Sequence, residues 1–293
     1  MEIQLKNTDQ DRKAHLNAFL QLLVERFQPT RIISFGKLSL QNKLKGCFAS
    51  KKIVEQHFCL LICTESCTRV DYEIQEFVNN HYQNGQITII AHGESTIKEQ
   101  IEANNRFFIT VLSKGKYLYS KTGYINDQSI PKFNPSKALV KAEKHFSHRI
   151  SLAKGFFDCA KESLRKGNNN ITAFLLHQAV EQACITLIIV HIDYRSEFHN
   201  LNRLLGLCRS FSDEPYKLLI GEMHARRRQF DILIKSYGKA RYASEFTVSQ
   251  KDAEELCENV SSFIELTELM CKNRIKKFEV KPTELNLVTE KTA

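Results

Sequence analysis

Apolar residues recur at helical spacing between Asp11 and Phe27, at Ala14, Phe19, Leu22, Leu23 and Phe27, so the chain opens on a helix. A short apolar strand, Ile32 to Phe35, follows and ends at Gly36. The lysine-rich stretch from Lys37 to Lys52 reads as a polar loop. Ile53 to Cys63 is a second strand, mostly apolar after Gln56. Val70 to Tyr82 is helical in pattern. Gln86 to Ala91 is a third strand, bounded by Asn84-Gly85 and Gly93. Ser95 begins another helix, with Lys98 where a capping box would carry Glu or Gln. Phe107 to Leu112 and Lys116 to Tyr119 complete this region.

Two of the five prolines, Pro131 and Pro135, fall in a polar stretch with Gly123, Asp127, Gln128 and Asn134. Such a stretch marks a domain boundary. Beyond it the pattern is helical throughout. One long helix runs from Pro135 to Arg165, and Gly167-Asn168-Asn169-Asn170 breaks it. A strongly apolar helix covers Ile171 to about His191, and a third covers His199 to Ser210. Asp213-Glu214-Pro215 opens a fourth element. Arg226 to Ala243 continues it or forms a fifth. Ser249 caps a last helix, from Gln250 to about Lys277. The fold class is therefore α+β. An α/β segment over residues 1–130 precedes a helical region over 131–278, and a polar tail over 279–293.

Composition narrows this further. With 42% hydrophobic and 26% charged residues, 11 Gly and 5 Pro, the chain is neither collagen-like, nor a disulfide scaffold, nor disordered throughout. No uninterrupted apolar run reaches the roughly 18 residues a bilayer span needs. The N-terminus, Glu2 to Asn7, has no apolar signal region. Nine irregularly spaced cysteines without a CxxC read as reduced, mostly buried thiols in a cytoplasmic protein. The net charge of +9 permits polyanion binding, but the basic excess is spread over both halves and forms no tail.

The N-terminal order of helix, strand, glycine, polar stretch and strand carries a resemblance. Ile32-Ile33-Ser34-Phe35-Gly36 resembles the first strand and glycine turn of minimal nucleotidyltransferases of the polymerase β-like superfamily. Gly115-Lys116-Tyr117-Leu118-Tyr119 is similar to the segment that closes that fold. The resemblance implies a small mixed sheet and a metal site on an Asp-x-Asp strand. This chain departs from that pattern. Lys37 replaces the serine after the glycine, and the strand reads His57-Phe58-Cys59. The later strand, Gln86 to Ile90, has no acid. A magnesium site cannot be built from imidazole and thiol. Gly36, Lys37, His57 and Cys59 thus mark a degenerate transferase site. His57 and Cys59 share a strand face and suit core packing better than a softer metal. Gly36-Lys37 could still touch a phosphate.

The helical half carries a more specific resemblance. Phe174 to Gln182, with Gln178-Ala179-Val180-Glu181, resembles the second helix of HEPN domains. His199-Asn200-Leu201 followed by Leu204 is similar to the segment after that helix. Tyr237-Gly238-Lys239-Ala240-Arg241-Tyr242 is similar to the ending found in the branch that includes the sacsin HEPN domain. Together these cover about residues 136–272. The resemblance implies an up-and-down helical bundle, homodimerisation through the helices, and a history of pairing with minimal nucleotidyltransferases. HEPN nucleases carry Arg, four to six residues, then His. None of the ten histidines here has that arrangement. Arg195-x3-His199 is too short.

Helical geometry puts His177 and Glu181 on one face, with Gln178 and Gln182 beside them. A polar strip in so apolar a helix must find partners or water. It completes a buried network or lines a groove. Across that groove, Tyr237 and Tyr242 offer base stacking, and Lys235 and Arg241 offer phosphate contacts. The leading expectation is a non-catalytic protein that binds a nucleotide, RNA or a protein partner, in defence or toxin–antitoxin-type regulation. It uses no cofactor, metal or membrane. One alternative is a ribonuclease with a rearranged set, Arg226, Arg228 and His224. The blander reading of Arg226 to Arg228 is a solvated basic face. Another alternative is a transferase with relocated acids at Glu55 or Glu65.

Overall fold

The computed structural model describes residues 9–45, 50–66, 69–123, 130–221 and 224–279. They form two compact units, Met1–Phe133 and Asn134–Ala293. The N-terminal unit runs α1 (Asp9–Phe27), β1 (Arg31–Lys45), β2 (Ser50–Thr64), α2 (Asp71–His81), β3 (Gln86–Gly93), α3 (Glu94–Glu102), α4 (Arg106–Lys114) and β4 (Lys116–Ser120). The strands form one mixed sheet in the order β3-β2-β1-β4. β2 is antiparallel to β1 and parallel to β3, and β4 is antiparallel to β1.

Strand alternation divides the core into two layers. Phe58, Leu60 and Ile62 face α1 and α2, where they meet Phe19, Leu23, Ile74 and Val78. Cys59, Leu61 and Cys63 take the opposite face and are also buried. Phe107, Phe108 and Leu112 of α4 are buried as well, and Phe107 meets Phe35 of β1 edge to face. A central strand buried on both faces reads as a continuous apolar run, which is how Phe58 to Cys63 reads.

The stretch expected as a polar loop is mostly strand. β1 continues to Lys45 and pairs with β2 from Gly36↔Cys59 to Lys45↔Ser50. Leu38 and Leu40 alternate there with Lys37 and Ser39, and period-two alternation is a strand signal that the lysines mask. No glycine turn ends β1. The register shifts between Ser34 and Gly36, so Phe35 is a bulge and the strand carries on.

The helical unit runs α5 (Ala138–Arg165), α6 (Asn169–Ile192), α7 (Leu201–Cys208), α8 (Glu214–Leu219), α9 (His224–Tyr242) and α10 (Gln250–Glu279). A single 3-10 turn, Pro135–Lys137, precedes α5. The open choice after Asp213 resolves into two helices, α8 and α9. Gly221 between them has a positive φ of 53°. α6 packs against α5, α7, α9 and α10. By length and composition it could cross a membrane, but 78% of its apolar window is buried inside the protein, as befits a core helix.

α10 starts on a reciprocal cap. Ser249 Oγ accepts from the Asp252 backbone N–H at 3.1 Å and donates to Asp252 Oδ2 at 2.7 Å. Asp252 also holds Arg228 through two hydrogen bonds of 2.8 Å. Ser249→Ala is expected to lower unfolding stability by about 1 kcal/mol, measured by urea titration, because it leaves the first turn of α10 without its side-chain acceptor.

Candidate functional site

The degenerate transferase residues do not form a binding surface. His57 is 3% exposed and Cys59 1%. The His57 ring lies 3.2 Å (Nε2) from Thr88 Oγ1 and 3.4 Å (Nδ1) from Gln86 Oε1, both on β3. Gly36 pairs with Cys59, whereas Lys37 pairs with Phe58 and so points to the other face. There its ammonium sits 5.5 Å from the Phe58 ring. Lys37 therefore cannot serve one ligand with His57 and Cys59. The relocated-acid alternative fares no better. Glu65 is exposed and paired with Lys121 at 2.6 Å, and Glu55 is exposed. Glu94, just after β3, accepts from Thr30 and from Arg31. Among the described residues no group of three or more His, Cys, Asp or Glu is placed to hold a metal ion.

The helical unit does gather a polar site, on α6. Its floor is His177 and Glu181, 2% and 3% exposed. Gln178 Nε2 donates to His177 Nδ1 at 3.2 Å. That fixes Nδ1 as an acceptor, so it cannot serve Glu181 Oε2, which lies 4.0 Å away. Burial lowers the His177 pKa to about 4, and the charges of His199 and Arg241 push the same way. At neutral pH His177 is therefore an uncharged imidazole. Burial raises the Glu181 carboxyl, while the hydrogen bond from His199 and the Arg149 charge hold it down.

The walls come from three other segments. α5 brings Arg149, whose Nη1 donates to Gln182 Oε1 at 2.7 Å. Burial and the Arg195 charge lower the Arg149 guanidinium, and Glu181 pulls it back up. The connection between α6 and α7 is extended. Tyr194, Ser196 and Phe198 face inward and are buried, so Arg195, Glu197 and His199 face outward. His199 Nδ1 donates to Glu181 Oε1 at 3.0 Å while its side chain remains 61% exposed. α9 is pinned to α6 by Ser236 Oγ, which donates to the Ala173 carbonyl at 3.0 Å. This sets Tyr237 over His177, with ring centroids 4.8 Å apart.

Of the residues expected from sequence, His177, Gln178, Glu181, Tyr237, Arg241 and Tyr242 come together. Tyr237 takes a different part from the one its type suggested. Its ring meets His177, lies 6.3 Å from the His199 ring and carries Arg241 at 4.5 Å. It is a packing plate, and the aromatic left open is Tyr242, 80% exposed with Arg241 5.0 Å above it. Lys235 is not in the cluster; it is exposed and pairs with Asp231 one turn back. The sequence carries no sign of Arg149, and it shows Arg195 and His199 only as Arg195-x3-His199, an extended-chain spacing rather than a helical one.

Two members of the rearranged nuclease set are engaged elsewhere. Arg226 Nη1 donates to the Leu218 carbonyl at 3.2 Å, at the end of α8, and Arg228 forks on Asp252. Arg226, Arg227 and Arg228 are all exposed. The side chain of His224 lies outside the described residues.

Residues 146–270 match the HEPN domain family. The helical unit carries a HEPN domain. The match spans Arg149, the α6 strip, Arg195, His199, Tyr237, Arg241 and Tyr242, so the whole cluster lies within it, and the match supports a nucleotide- or RNA-related function. No curated protein matches the chain. One solved structure, a nucleotidyltransferase-like protein from Exiguobacterium sibiricum, is similar over 89% of this chain and 78% of its own, at 11% identity and a TM-score of 0.29.

Proposed function

We propose that the HEPN domain of this chain binds a phosphate-bearing ligand, a nucleotide or RNA, without turning it over. The observation that carries this reading is the charge around α6. Arg149 bears on the buried Glu181 carboxylate, to which His199 donates, Arg195 bears in turn on Arg149, and Arg241 bears on His177 beside it. Guanidinium groups match phosphate geometry, and Arg241 and Tyr242 together suit a phosphate beside a stacked base. Non-catalytic status rests on chemistry. The transferase positions hold a buried imidazole and a buried thiol, and Arg195 is one residue too near His199 for the HEPN nuclease spacing.

The same reading extends to setting. Seven described cysteines are free thiols, which suits a reducing, cytoplasmic compartment. A decayed transferase unit beside a HEPN domain suits a regulator in defence or toxin–antitoxin-type systems, acting as a homodimer through its helices or through a protein partner. Sedimentation equilibrium tests the dimer, and a monomer at all concentrations rejects it.

Fluorescence anisotropy with labelled ribonucleoside triphosphates and a short single-stranded RNA, across a salt series, tests the ligand class. Binding is expected to weaken with salt. Arg241→Ala is expected to cost about tenfold in affinity and to reduce the salt slope by about one. No RNA cleavage and no nucleotide transfer in Mg²⁺ are expected. Failure of every probe to bind, or an Arg241→Ala variant that binds like wild type, rejects the site.

A further inference from the structure

The β1–β2 ribbon outruns its sheet. β4 lines β1 from Arg31 to Ser34, and β3 lines β2 from His57 to Thr64. From Ser39↔Gln56 to Lys45↔Ser50, among the described residues, β1 and β2 pair with each other alone. At ~3.4 Å per residue this two-stranded arm is about 20 Å long. A lone pair of strands is marginal in water, so every cross-strand pair counts. Yet the register sets Lys43 directly opposite Lys52, and like charges at opposed positions weaken a ladder. From Gly36 to Val54 the sequence carries five lysines and no acid.

Strand alternation sorts those lysines by face. Lys37, Lys43 and Lys45 of β1 share one face, and Lys52 of β2 joins them through its pairing with Lys43. The positions between them, Ser39 and Gln41, are polar. Leu38, Leu40 and Leu44 take the other face, with Lys51 opposite Leu44. Lys37 and Ser39 are exposed, whereas Leu38 and Leu40 are half-buried, so at the root of the arm the lysine face is the one turned to solvent. Lysines do guard strand edges against stray pairing. Guarding an edge is indifferent to sign, however, and an acid at either position of the Lys43↔Lys52 pair would guard it while attracting its partner. A single sign kept throughout, at a cost to the ladder, calls for an anion.

We propose that the lysine face of this arm docks on the phosphate backbone of double-stranded DNA, independently of any ligand at the helical unit. Duplex DNA carries one charge per ~1.7 Å of its axis, and a row of same-sign contacts is stabilised by release of its condensed counterions. Lys43, Lys45 and Lys52 form one group of contacts, and Lys37 lies six residues back along the same face, about 20 Å at ~3.4 Å per residue. The groove of B-form DNA admits a two-stranded ribbon, whereas A-form RNA closes its deep groove to side chains. Contacts of this kind position a protein on a duplex without reading its sequence. A membrane would need the leucine face outward, and at Leu38 and Leu40 that face is turned to protein.

The test is fluorescence anisotropy of the full chain with a labelled, mixed-sequence DNA duplex across a salt series. Lys43→Gln/Lys52→Gln is expected to weaken binding about tenfold and to reduce the slope of log affinity against log salt by about two. Lys52→Gln and Lys51→Gln remove the same charge from adjacent residues on opposite faces. The first is expected to cost about threefold and the second to change little. Removing Lys52 also relieves its repulsion with Lys43, so the unfolding midpoint of Lys52→Gln is expected to be no lower than that of wild type. Absence of duplex binding, or a wild-type salt slope in the double variant, overturns the proposal. Equal losses in Lys51→Gln and Lys52→Gln overturn the assignment to one face. Binding of single-stranded RNA or of anionic phospholipid vesicles that falls in the double variant, while duplex binding does not, overturns the choice of DNA. Ribonucleoside triphosphates titrated in parallel test the α6 site, so neither result decides the other.

Discussion

Gly85→Ala is expected to destabilise the N-terminal unit by about 3 kcal/mol, among the larger losses a single methyl group can cause. Gly85 precedes β3 and has a φ of +136°, which side-chain-bearing residues rarely adopt. A Cβ there would lie 2.2 Å from the Gln56 carbonyl oxygen and 3.1 Å from its carbon. Both neighbours are backbone, in the central strand, so neither can swing away. Relief requires β3 to shift against β2 at their first pair, His57↔Gln86. The strain and the clash add, since one is torsional and the other steric. Gly155→Ala is the matched control. Gly155 is exposed on α5, with nothing within 4 Å of its would-be Cβ. There the same substitution is expected to stabilise by roughly 0.5–1 kcal/mol through helix propensity. Thermal and urea unfolding followed by circular dichroism read both. Two variants with shifts of the same sign would refute the argument.

The contrast between those glycines bears on what a sequence can convey. Asn84-Gly85 was legible as a turn, because turn chemistry is local. Its contact with Gln56 was not, because nothing in the sequence says which strand lies beside it. The same division runs through the fold. The order of elements, the long central helix and the Ser249 cap follow from periodicity and capping residues within a few positions of one another. The length of β1 does not, because lysines on alternate positions look like a loop until Gly36 to Lys45 finds β2.

The candidate site divides in the same way. His177, Gln178 and Glu181 were legible because one helix turn holds them. Arg149 was not. α5 carries Lys141, Lys144, Arg149, Lys154 and Lys161, and only packing against α6 distinguishes the one that reaches Gln182. Residue type also misled. Tyr237 has a ring suited to a base, yet the ring is spent on two imidazoles and a guanidinium. Arg226 and Arg228 look like a phosphate grip, yet each holds a helix end. Chemistry read from residue type gives what a side chain can do, and its neighbours decide whether it is free to do it.

His177→Phe is expected to remove most of the acid sensitivity that α6 confers, and the sign follows from the proton balance. An unfolded histidine titrates near its usual value of about 6.5, whereas burial holds folded His177 at about 4. Between those values the unfolded chain binds a proton that the folded chain refuses. Stability from this residue is complete above about pH 6.5 and is lost as pH falls toward 4. Over that window the loss is about 3 kcal/mol. Glu181 acts in the opposite sense. Its raised folded pKa means the folded chain holds a proton that the unfolded chain has released. Its contribution is present in acid and is lost as pH rises through the folded value, so it offsets part of the His177 effect. The other groups facing His177 do not reverse this result. Gln178 is neutral, and His199 and Arg241 repel a proton on the ring. Phenylalanine keeps the packing against Tyr237 and deletes the titration. The stability difference between wild type and His177→Phe, measured by urea unfolding from about pH 7 to about pH 4, should therefore shift by about 3 kcal/mol in favour of the variant. Glu181→Gln should instead steepen the wild-type acid limb. Parallel profiles for wild type and His177→Phe would mean that the imidazole is reached by water and that the floor of the site is open.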